Sequence, residues 1–136
     1  MEIYFDQYVI SDDPSKLNVD MIYAFLSQSY WAHERNRAAM EKSFEHSICY
    51  GVYHESKQIG FARIVTDYAT MYYLADVFII DGYRGKGIGK KLVDTIVHLE
   101  DYEHLKGLLA TKDAHQLYEQ FGFVRDETSY MKRAPK

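Results

Sequence analysis

The sequence predicts an α/β fold, with a mixed β-sheet flanked by about four helices in one domain over residues 1–136. Apolar runs of strand length alternate along the chain with segments of helical periodicity. Hydrophobic residues make up 47% of the chain, and a chain of 136 residues can bury roughly two thirds of its unfolded surface in a single core. The predicted order of elements is βααβββαβαβ.

The first part of the chain predicts one strand and two helices. Residues 2–10 alternate loosely between apolar and polar side chains, as in a strand. Pro14 and Asn18 then mark the turn into a helix. Its apolar residues recur at helical spacing, at Val19, Ile22, Tyr23 and Leu26. A loop precedes a second helix over about 34–46.

The rest of the chain predicts a sheet with helices between its later strands. The elements are a hairpin pair at 47–55 and 58–67, a strand at 71–80, a helix at about 87–100, a short strand at 105–110, a helix at 113–121 and closing strand material at 123–132. The helix after the long strand has an apolar stripe for burial, formed by Ile88, Leu92, Val93, Ile96 and Val97.

A glycine-rich hexapeptide at residues 84–89, Arg-Gly-Lys-Gly-Ile-Gly, connects the strand at 71–80 to the helix that follows. Such a turn places unpaired backbone N–H groups at the positive end of a helix dipole, and this arrangement binds phosphate. The segment therefore predicts a binding site for a phosphorylated cofactor.

Spacing argues against two other kinds of phosphate-binding loop. A nucleoside triphosphate loop needs Gly, four residues and then Gly-Lys-Ser/Thr. Gly82 and Gly87 have that separation, but Ile88 follows Gly87, and no hydroxyl follows Lys90. In a dinucleotide fingerprint the third glycine would come one residue later than Gly89, and the motif would lie earlier in the chain.

Two motifs resemble those of the GNAT superfamily of acyl-CoA-dependent N-acetyltransferases. Arg84, Gly87 and Gly89 fit its coenzyme A pyrophosphate motif, Arg/Gln-x-x-Gly-x-Gly/Ala. About 25 residues later, residues 114–123 fit its later motif, Ala-x-x-Leu/Phe-Tyr-x-x-x-Gly-Phe. Two motifs in the right order are more specific than either alone. The resemblance is close over residues 70–125 and only architectural before them.

The resemblance implies direct transfer of an acetyl group from acetyl-CoA to an amine. In the superfamily the pantetheine arm pairs with the strand that enters the loop, which corresponds here to Val77, Phe78 and Ile79. The cofactor-binding residues predicted in the loop are Arg84, Gly85, Lys86, Gly87, Ile88, Gly89 and Lys90. The resemblance requires no metal, and the six histidines have no compact metal-binding spacing.

Tyr118 matches the tyrosine that many members of the superfamily use as a general acid toward the coenzyme A thiolate. General acids contribute about 10²–10⁴-fold to a rate. The alternative is structural, because Leu117, Tyr118 and Phe121 share an apolar face on which a tyrosine can pack in the core. The motif favours the catalytic role.

Asp76 is the second predicted catalytic residue, because a carboxylate inside an apolar strand is costly to bury without a partner. Its side chain could bind the ammonium group of the acceptor or relay its proton. It could equally pair with Arg63 on a neighbouring strand, since ion pairs and active sites both place carboxylates in this way. His33 and Glu34 are weaker candidates for a base.

The loop at residues 27–35 corresponds to a region that borders the acceptor site in the superfamily. Tyr30, Trp31 and Glu34 are the predicted substrate-binding residues, because aromatic and ionisable side chains together suit an amine pocket. The alternative for Trp31 is to anchor the loop to the core. The Ser-Tyr-Trp-Ala run followed by Arg35 also resembles a group of small bacterial GNAT proteins.

One position departs from the superfamily pattern. Many members carry Asn three residues before the Ala of the second motif, where this chain has Thr111. A threonine offers a hydroxyl to the pantetheine amide but not the two-sided hydrogen bonding of Asn. The departure puts that contact in doubt and leaves the predicted fold unchanged.

Charge and composition limit the remaining functions. The net charge of −4 provides no basic surface for nucleic acid, so we expect no such partner. Cys49 is the only cysteine, which excludes an internal disulfide and favours a reducing compartment. The N-terminus lacks the features of a signal peptide, and no apolar stretch approaches the ~20 residues of a membrane span. We expect a cytoplasmic protein with no membrane partner.

The predicted function is therefore an N-acetyltransferase that uses acetyl-CoA and acts on a small-molecule amine or a protein amine. The alternative is a coenzyme A-binding regulatory or interaction domain without turnover. Tyr118 counts against that alternative, since an inert residue would serve equally well in a binding domain. The resemblance is compatible with a homodimer.

Overall fold

A computed structural model of the chain describes residues 1–136 and contains one six-stranded mixed sheet. The strands are β1 (Glu2–Phe5), β2 (Tyr8–Ser11), β3 (Ile48–His54), β4 (Lys57–Thr66), β5 (Met71–Ile79) and β6 (Lys106–Leu108). They lie in the sheet in chain order; β1 to β5 pair antiparallel, and β6 pairs parallel to β5. The predicted α/β fold class is confirmed.

Four α-helices flank the sheet, namely α1 (Val19–Leu26), α2 (Arg37–Glu45), α3 (Ile88–Val97) and α4 (His115–Glu119). Asparagine side chains determine where the first two begin. The Asn18 Oδ1 accepts the Met21 N–H at 3.1 Å, and the Asn36 Oδ1 accepts the Ala39 N–H at 2.8 Å. Each bond satisfies a backbone donor that the first turn of a helix leaves unpaired.

Both faces of the sheet are covered, and each face has its own hydrophobic core. The larger core joins α3 to the sheet, and its fully buried members include Ile10, Val52, Ile64, Ile88, Leu92 and Ile96. The smaller core joins α1 and α2 to the other face and comprises Ile22, Leu26, Ala32, Met40, Cys49, Phe61 and Phe78. The apolar stripe predicted for the helix after the long strand is buried as expected.

A bulge interrupts the pairing of β4 with β5. Phe61 lies opposite Phe78, and Arg63 lies opposite Ala75, so β5 has one more residue than β4 over this stretch. Asp76 lies within it and has a φ of 57°, a left-handed conformation that is uncommon for residues other than glycine. The bulge re-aims the side chains of β5 just before the glycine-rich loop.

The parallel pairing between β5 and β6 is short. Only Met71–Tyr73 pairs with Lys106–Leu108. Beyond Tyr73 no strand is hydrogen-bonded to this edge of β5, so the two strands separate and leave a gap toward the glycine-rich loop.

Two elements differ from the prediction. The strand expected over residues 2–10 is a hairpin, because the chain turns at Asp6 with a φ of 48°. Residues 123–132, expected as closing strand material, form no strand. Asp126 makes a local turn there, since its Oδ1 accepts the N–H groups of Thr128 and Ser129 at 3.2 and 3.1 Å.

Candidate functional site

A cleft of about 910 Å³ opens where β5 and β6 separate. Its walls are α1 with the loop after it, the last residues of β5, the glycine-rich loop and the start of α4. This volume is typical of cofactor and ligand sites, which measure roughly 300–1,000 Å³. The cleft is lined by residues of both sequence motifs, namely Arg84, Gly85, Gly87, Ile88 and Gly89 of the first and Ala114, Leu117 and Tyr118 of the second.

One wall of the cleft is the open edge of β5. Val77, Phe78 and Ile79 line it, as predicted for the residues that pair with the pantetheine arm. Because no strand pairs with this edge, an extended ligand with amide groups could add to the sheet there. The ring of Phe25 stacks on Phe78, with centroids 3.9 Å apart and planes 6° from parallel.

The glycine-rich loop closes one end of the cleft. Gly85 and Gly87 line it with φ values of 76° and 80°, which glycine adopts without steric cost. Gly87 is also the N-cap of α3, and no side chain caps that end of the helix. The first N–H groups of α3 are therefore available to an anion. Ile88, 1% exposed, anchors the helix in the core.

The basic residues of the loop have different surroundings. The Arg84 Nε donates to the carbonyl of Ile79 at 2.9 Å, and its guanidinium pairs with Asp81 at 3.0 Å, so this side chain braces the loop. Lys90 lines the cleft. Lys86 does not line it; its Nζ lies 5.5 Å from the ring centroid of Tyr83, which does.

Tyr118 lines the cleft from α4, and its hydroxyl makes no hydrogen bond within the protein. Its ring packs edge-on against Phe123, with centroids 6.0 Å apart. Burial raises the pKa of Tyr118 to about 12, and the nearby ionisable groups of Tyr30 and Asp113 add to the effect. The phenol is therefore protonated at neutral pH.

Asp76 is the centre of a buried ion cluster outside the cleft. Its side chain is 1% exposed and accepts three hydrogen bonds of 2.9 Å, from the Trp31 Nε1, the Arg35 guanidinium and the Arg63 Nε. Arg63 also donates to the Ser47 hydroxyl at 3.0 Å. The structural alternative considered for Asp76, an ion pair with Arg63, is thus present in the molecule.

The loop after α1 brings two of its three predicted substrate-binding residues to the cleft. Tyr30 and Trp31 line it, whereas the side chain of Glu34 is 90% exposed and does not. The Tyr30 hydroxyl accepts the backbone N–H of Lys112 at 3.0 Å. This bond joins the loop after α1 to the segment that leads into α4.

Several residues that line the cleft were not predicted for it, among them Phe25, Asp81, Tyr83 and Asp113. Asp113 lines the cleft and directly precedes the Ala of the second motif, so its position beside that motif was the available signal. Phe25 gave no comparable signal, because its place depends on stacking against Phe78 of the distant strand β5. Arg35 lies in the loop at 27–35, which was predicted to border the acceptor site, but its ion pair with Asp76 was not predicted. The Thr111 hydroxyl accepts the Ala114 N–H at 3.0 Å, just before α4.

Two further observations concern possible ligands and surroundings. No group of three or more His, Cys, Asp or Glu side chains is arranged to hold a metal ion. None of the helices has both the length and the apolar character that crossing a membrane requires.

Comparison with known proteins identifies relatives of the whole chain. The family model described as "Acetyltransferase (GNAT) domain" matches residues 45–125. A protein of Gibberella zeae named "Putative acetyltransferase FG08082" is 31% identical over 133 residues, covering 82% of this chain and 75% of that protein.

Solved structures show the same fold. A crystal structure from Xanthomonas campestris, described as "a putative acetyltransferase belonging to the gnat family", has a TM-score of 0.90 and 36% identity, with 97% of this chain and 96% of that chain covered. A Clostridium acetobutylicum structure described as a predicted acetyltransferase with acetyl-CoA has a TM-score of 0.65 and 16% identity, with 93% and 94% covered. The family match, the relatives and the cleft agree: the chain belongs to the GNAT family and is an acetyl-CoA-dependent acyltransferase.

Proposed function

We propose that the protein transfers the acetyl group of acetyl-CoA directly to an amine, with Tyr118 donating to the leaving sulfur. One observation carries this proposal. The Tyr118 hydroxyl, which has no hydrogen-bond partner in the protein, lines the same cleft as the open edge of β5 and the glycine-rich loop. A proton donor thus faces the space in which the two predicted binding elements meet.

The residues of the cleft suit acetyl-CoA. The open edge of β5 at Val77–Ile79 offers backbone groups to the amides of the pantetheine arm, and the N–H groups at the start of α3 suit the pyrophosphate. Lys90 adds positive charge beside them. The Clostridium acetobutylicum structure described with acetyl-CoA has the same fold, which supports this assignment.

The thioester supplies an activated acyl carbon, and the protein must manage charge and protons around it. An acceptor that binds as an ammonium ion first releases one proton to water; as its neutral nitrogen then bonds to that carbon, the C–S bond breaks, the nitrogen loses a second proton and the sulfur gains one. A neutral Tyr118 can donate to the sulfur as negative charge develops on it. The proton that the nitrogen loses on acylation returns through water to Tyr118 and restores its neutral phenol.

Direct transfer is supported by the surroundings of the single cysteine. Cys49 lies in the core between α1, α2 and the sheet and does not line the cleft. Burial raises the pKa of its thiol to about 12, so it is not a thiolate at neutral pH. A covalent acetyl-cysteine intermediate therefore has no suitable nucleophile in this chain.

Asp76 has a positioning role in this proposal. Its carboxylate is committed to Trp31, Arg35 and Arg63 and lies outside the cleft lining. It holds the loop that carries Tyr30 and Trp31 against β5. Proton removal from the amine is then left to water, which can reach the open side of the cleft.

Two measurements test the proposal. Calorimetry with acetyl-CoA measures binding, and release of the coenzyme A thiol across a panel of amines measures turnover. We expect binding and amine-dependent thiol release in the wild type. Binding without turnover on any amine would instead support a coenzyme A-binding regulatory domain, and absence of binding would refute both functions.

A further inference from the structure

We propose that Asp113 binds the ammonium group of the acceptor, so that the acceptors are cationic amines with an aromatic or apolar body. The inference deepens the proposed function, because it names the class of amine that the same cleft receives. It concerns binding, however, and its test does not depend on turnover.

The backbone fixes Asp113 at the end of the cleft near Tyr30. The preceding residue, Lys112, donates its N–H to the Tyr30 hydroxyl at 3.0 Å. The Thr111 hydroxyl accepts the N–H of Ala114, the N-cap residue of α4, at 3.0 Å. Asp113 does not cap α4, because the N-cap residue is Ala114 and no side chain caps that end of the helix. Asp113 itself makes no hydrogen bond or ion pair with any residue.

The distribution of charge in the cleft singles out Asp113. The charged residues that line it are Asp81, Arg84, Lys90 and Asp113. The first three lie at the glycine-rich loop, where Asp81 pairs with Arg84. Asp113 is therefore the one carboxylate at the opposite end, beside Tyr118. A bound ammonium group would give it the counter-ion that the protein does not supply.

The positive groups nearest to this end of the cleft are otherwise engaged. Arg35 and Arg63 donate to Asp76. The Lys112 Nζ lies 5.6 Å from the ring centroid of Tyr30, so this ring already attracts an ammonium group of the protein itself. None of these three cations forms an ion pair with Asp113.

The aromatic walls define the rest of the acceptor. Tyr30 and Trp31 meet edge to face with centroids 5.1 Å apart, and they remain 45% and 40% exposed in the cleft. Met21 and Phe25 add apolar surface elsewhere in the cleft, where the Phe25 ring centroid lies 5.6 Å from the Arg84 guanidinium. An amine with an aromatic or branched apolar body could cover these rings while its nitrogen lies at Asp113.

The test compares a cation with its neutral isostere. Coenzyme A-saturated protein is titrated calorimetrically with phenethylammonium and with 2-phenylethanol, which share a shape but differ in charge. In the wild type we expect about tenfold tighter binding of the cation, a typical effect for one charge-assisted contact. Asp113→Asn should abolish the preference, and Asp113→Glu should retain part of it.

Asp101→Asn is the matched control, because Asp101 is also exposed and without a partner but does not line the cleft. It should keep the wild-type preference. Equal binding of the cation and the alcohol by the wild type, no binding of the cation, or a preference that survives Asp113→Asn would each overturn the assignment.

The same protein samples separate this inference from the proposed function. Thiol release with phenethylamine and other amines reports acetyl transfer. A wild type that binds the cation through Asp113 but acetylates no amine would refute the transferase proposal alone. A wild type that acetylates amines without an Asp113-dependent preference would refute the Asp113 proposal alone.

Discussion

The Asp76 carboxylate accepts a hydrogen bond of 2.9 Å from the indole of Trp31, although 45 residues separate the two in sequence. Asp76 lies in the bulge of β5 with a φ of 57°, so the irregularity in the strand turns its side chain toward the loop after α1. Arg35 and Arg63 bind the same carboxylate. The bulge therefore fixes the wall of the cleft formed by Tyr30 and Trp31 relative to β5.

Asp76→Asn should destabilise the protein by about 3–5 kcal/mol, because it leaves two guanidinium groups beside a neutral amide in a buried cluster. Urea unfolding measures the loss. Asp101→Asn, on the surface, should stay within about 0.5 kcal/mol of the wild type. A fully stable Asp76→Asn variant that has lost turnover would show that Asp76 acts in the chemistry instead.

Trp31→Phe should raise the KM for the acceptor severalfold while leaving the KM for acetyl-CoA unchanged. The substitution keeps an aromatic ring but removes the indole donor to Asp76, which loosens the loop after α1. The lost hydrogen bond should cost about 1–2 kcal/mol in unfolding. Steady-state kinetics with each substrate varied in turn provide the test, and equal effects on both KM values would contradict it.

Local patterns predicted the parts of the site that depend on short stretches of chain. The loop at 84–89 and the motif at 114–123 are each continuous, and the structure brings both to one cleft. The surroundings of Asp76 could not be predicted in the same way. They depend on the register between β4 and β5 and on Arg35, 41 residues away.

The strand predicted at residues 123–132 is absent from the structure, and local sequence could not have excluded it. Residues 123–132 have apolar residues near both ends, but Arg125, Asp126 and Glu127 interrupt them. Strand formation depends on a neighbour that pairs with the segment, and a local hydrogen-bonded turn at Asp126 competes with it. Local propensity alone does not decide between these outcomes.

Gly85→Ala should weaken acetyl-CoA binding as well as stability. Gly85 has a φ of 76° in the cleft wall, so an alanine there strains the backbone by about 1–2 kcal/mol or shifts the loop. Gly122→Ala is the control, since Gly122 has a φ of 88° and lies outside the cleft lining. Both variants should lose similar stability in urea, and only Gly85→Ala should lose affinity in calorimetry. Equal affinities would argue against the loop as the pyrophosphate site.

Tyr118→Phe should lower kcat by about 10²–10⁴-fold and leave acetyl-CoA affinity unchanged, because it removes only the hydroxyl that donates to sulfur. Stopped assays of thiol release measure kcat, and calorimetry measures affinity. A matched control is Tyr68→Phe, which removes a hydroxyl from an exposed residue outside the cleft. An unchanged kcat in Tyr118→Phe would refute the donor role.

The pH dependence of kcat provides a separate test of Tyr118. The phenol donates only while it is protonated, so activity that depends on it is present below its pKa and lost above it. Burial raises this pKa to about 12. We therefore expect no loss of kcat from Tyr118 between pH 8 and pH 10, whereas an ordinary tyrosine, with a pKa of about 10, would be half ionised at pH 10. A decline centred near pH 10 that disappears in Tyr118→Phe would contradict the raised pKa.

The buried pair Tyr50 and Tyr102 should show strong coupling in a double-mutant cycle. Their hydroxyls are hydrogen-bonded at 2.6 Å, and the residues are 2% and 1% exposed. Either single change to Phe leaves the other hydroxyl buried without a partner and should cost about 1–3 kcal/mol. The double variant removes both polar groups, so it should be no less stable than either single variant. Urea unfolding of the four proteins measures the coupling, and additive losses would show that the two hydroxyls do not depend on one another.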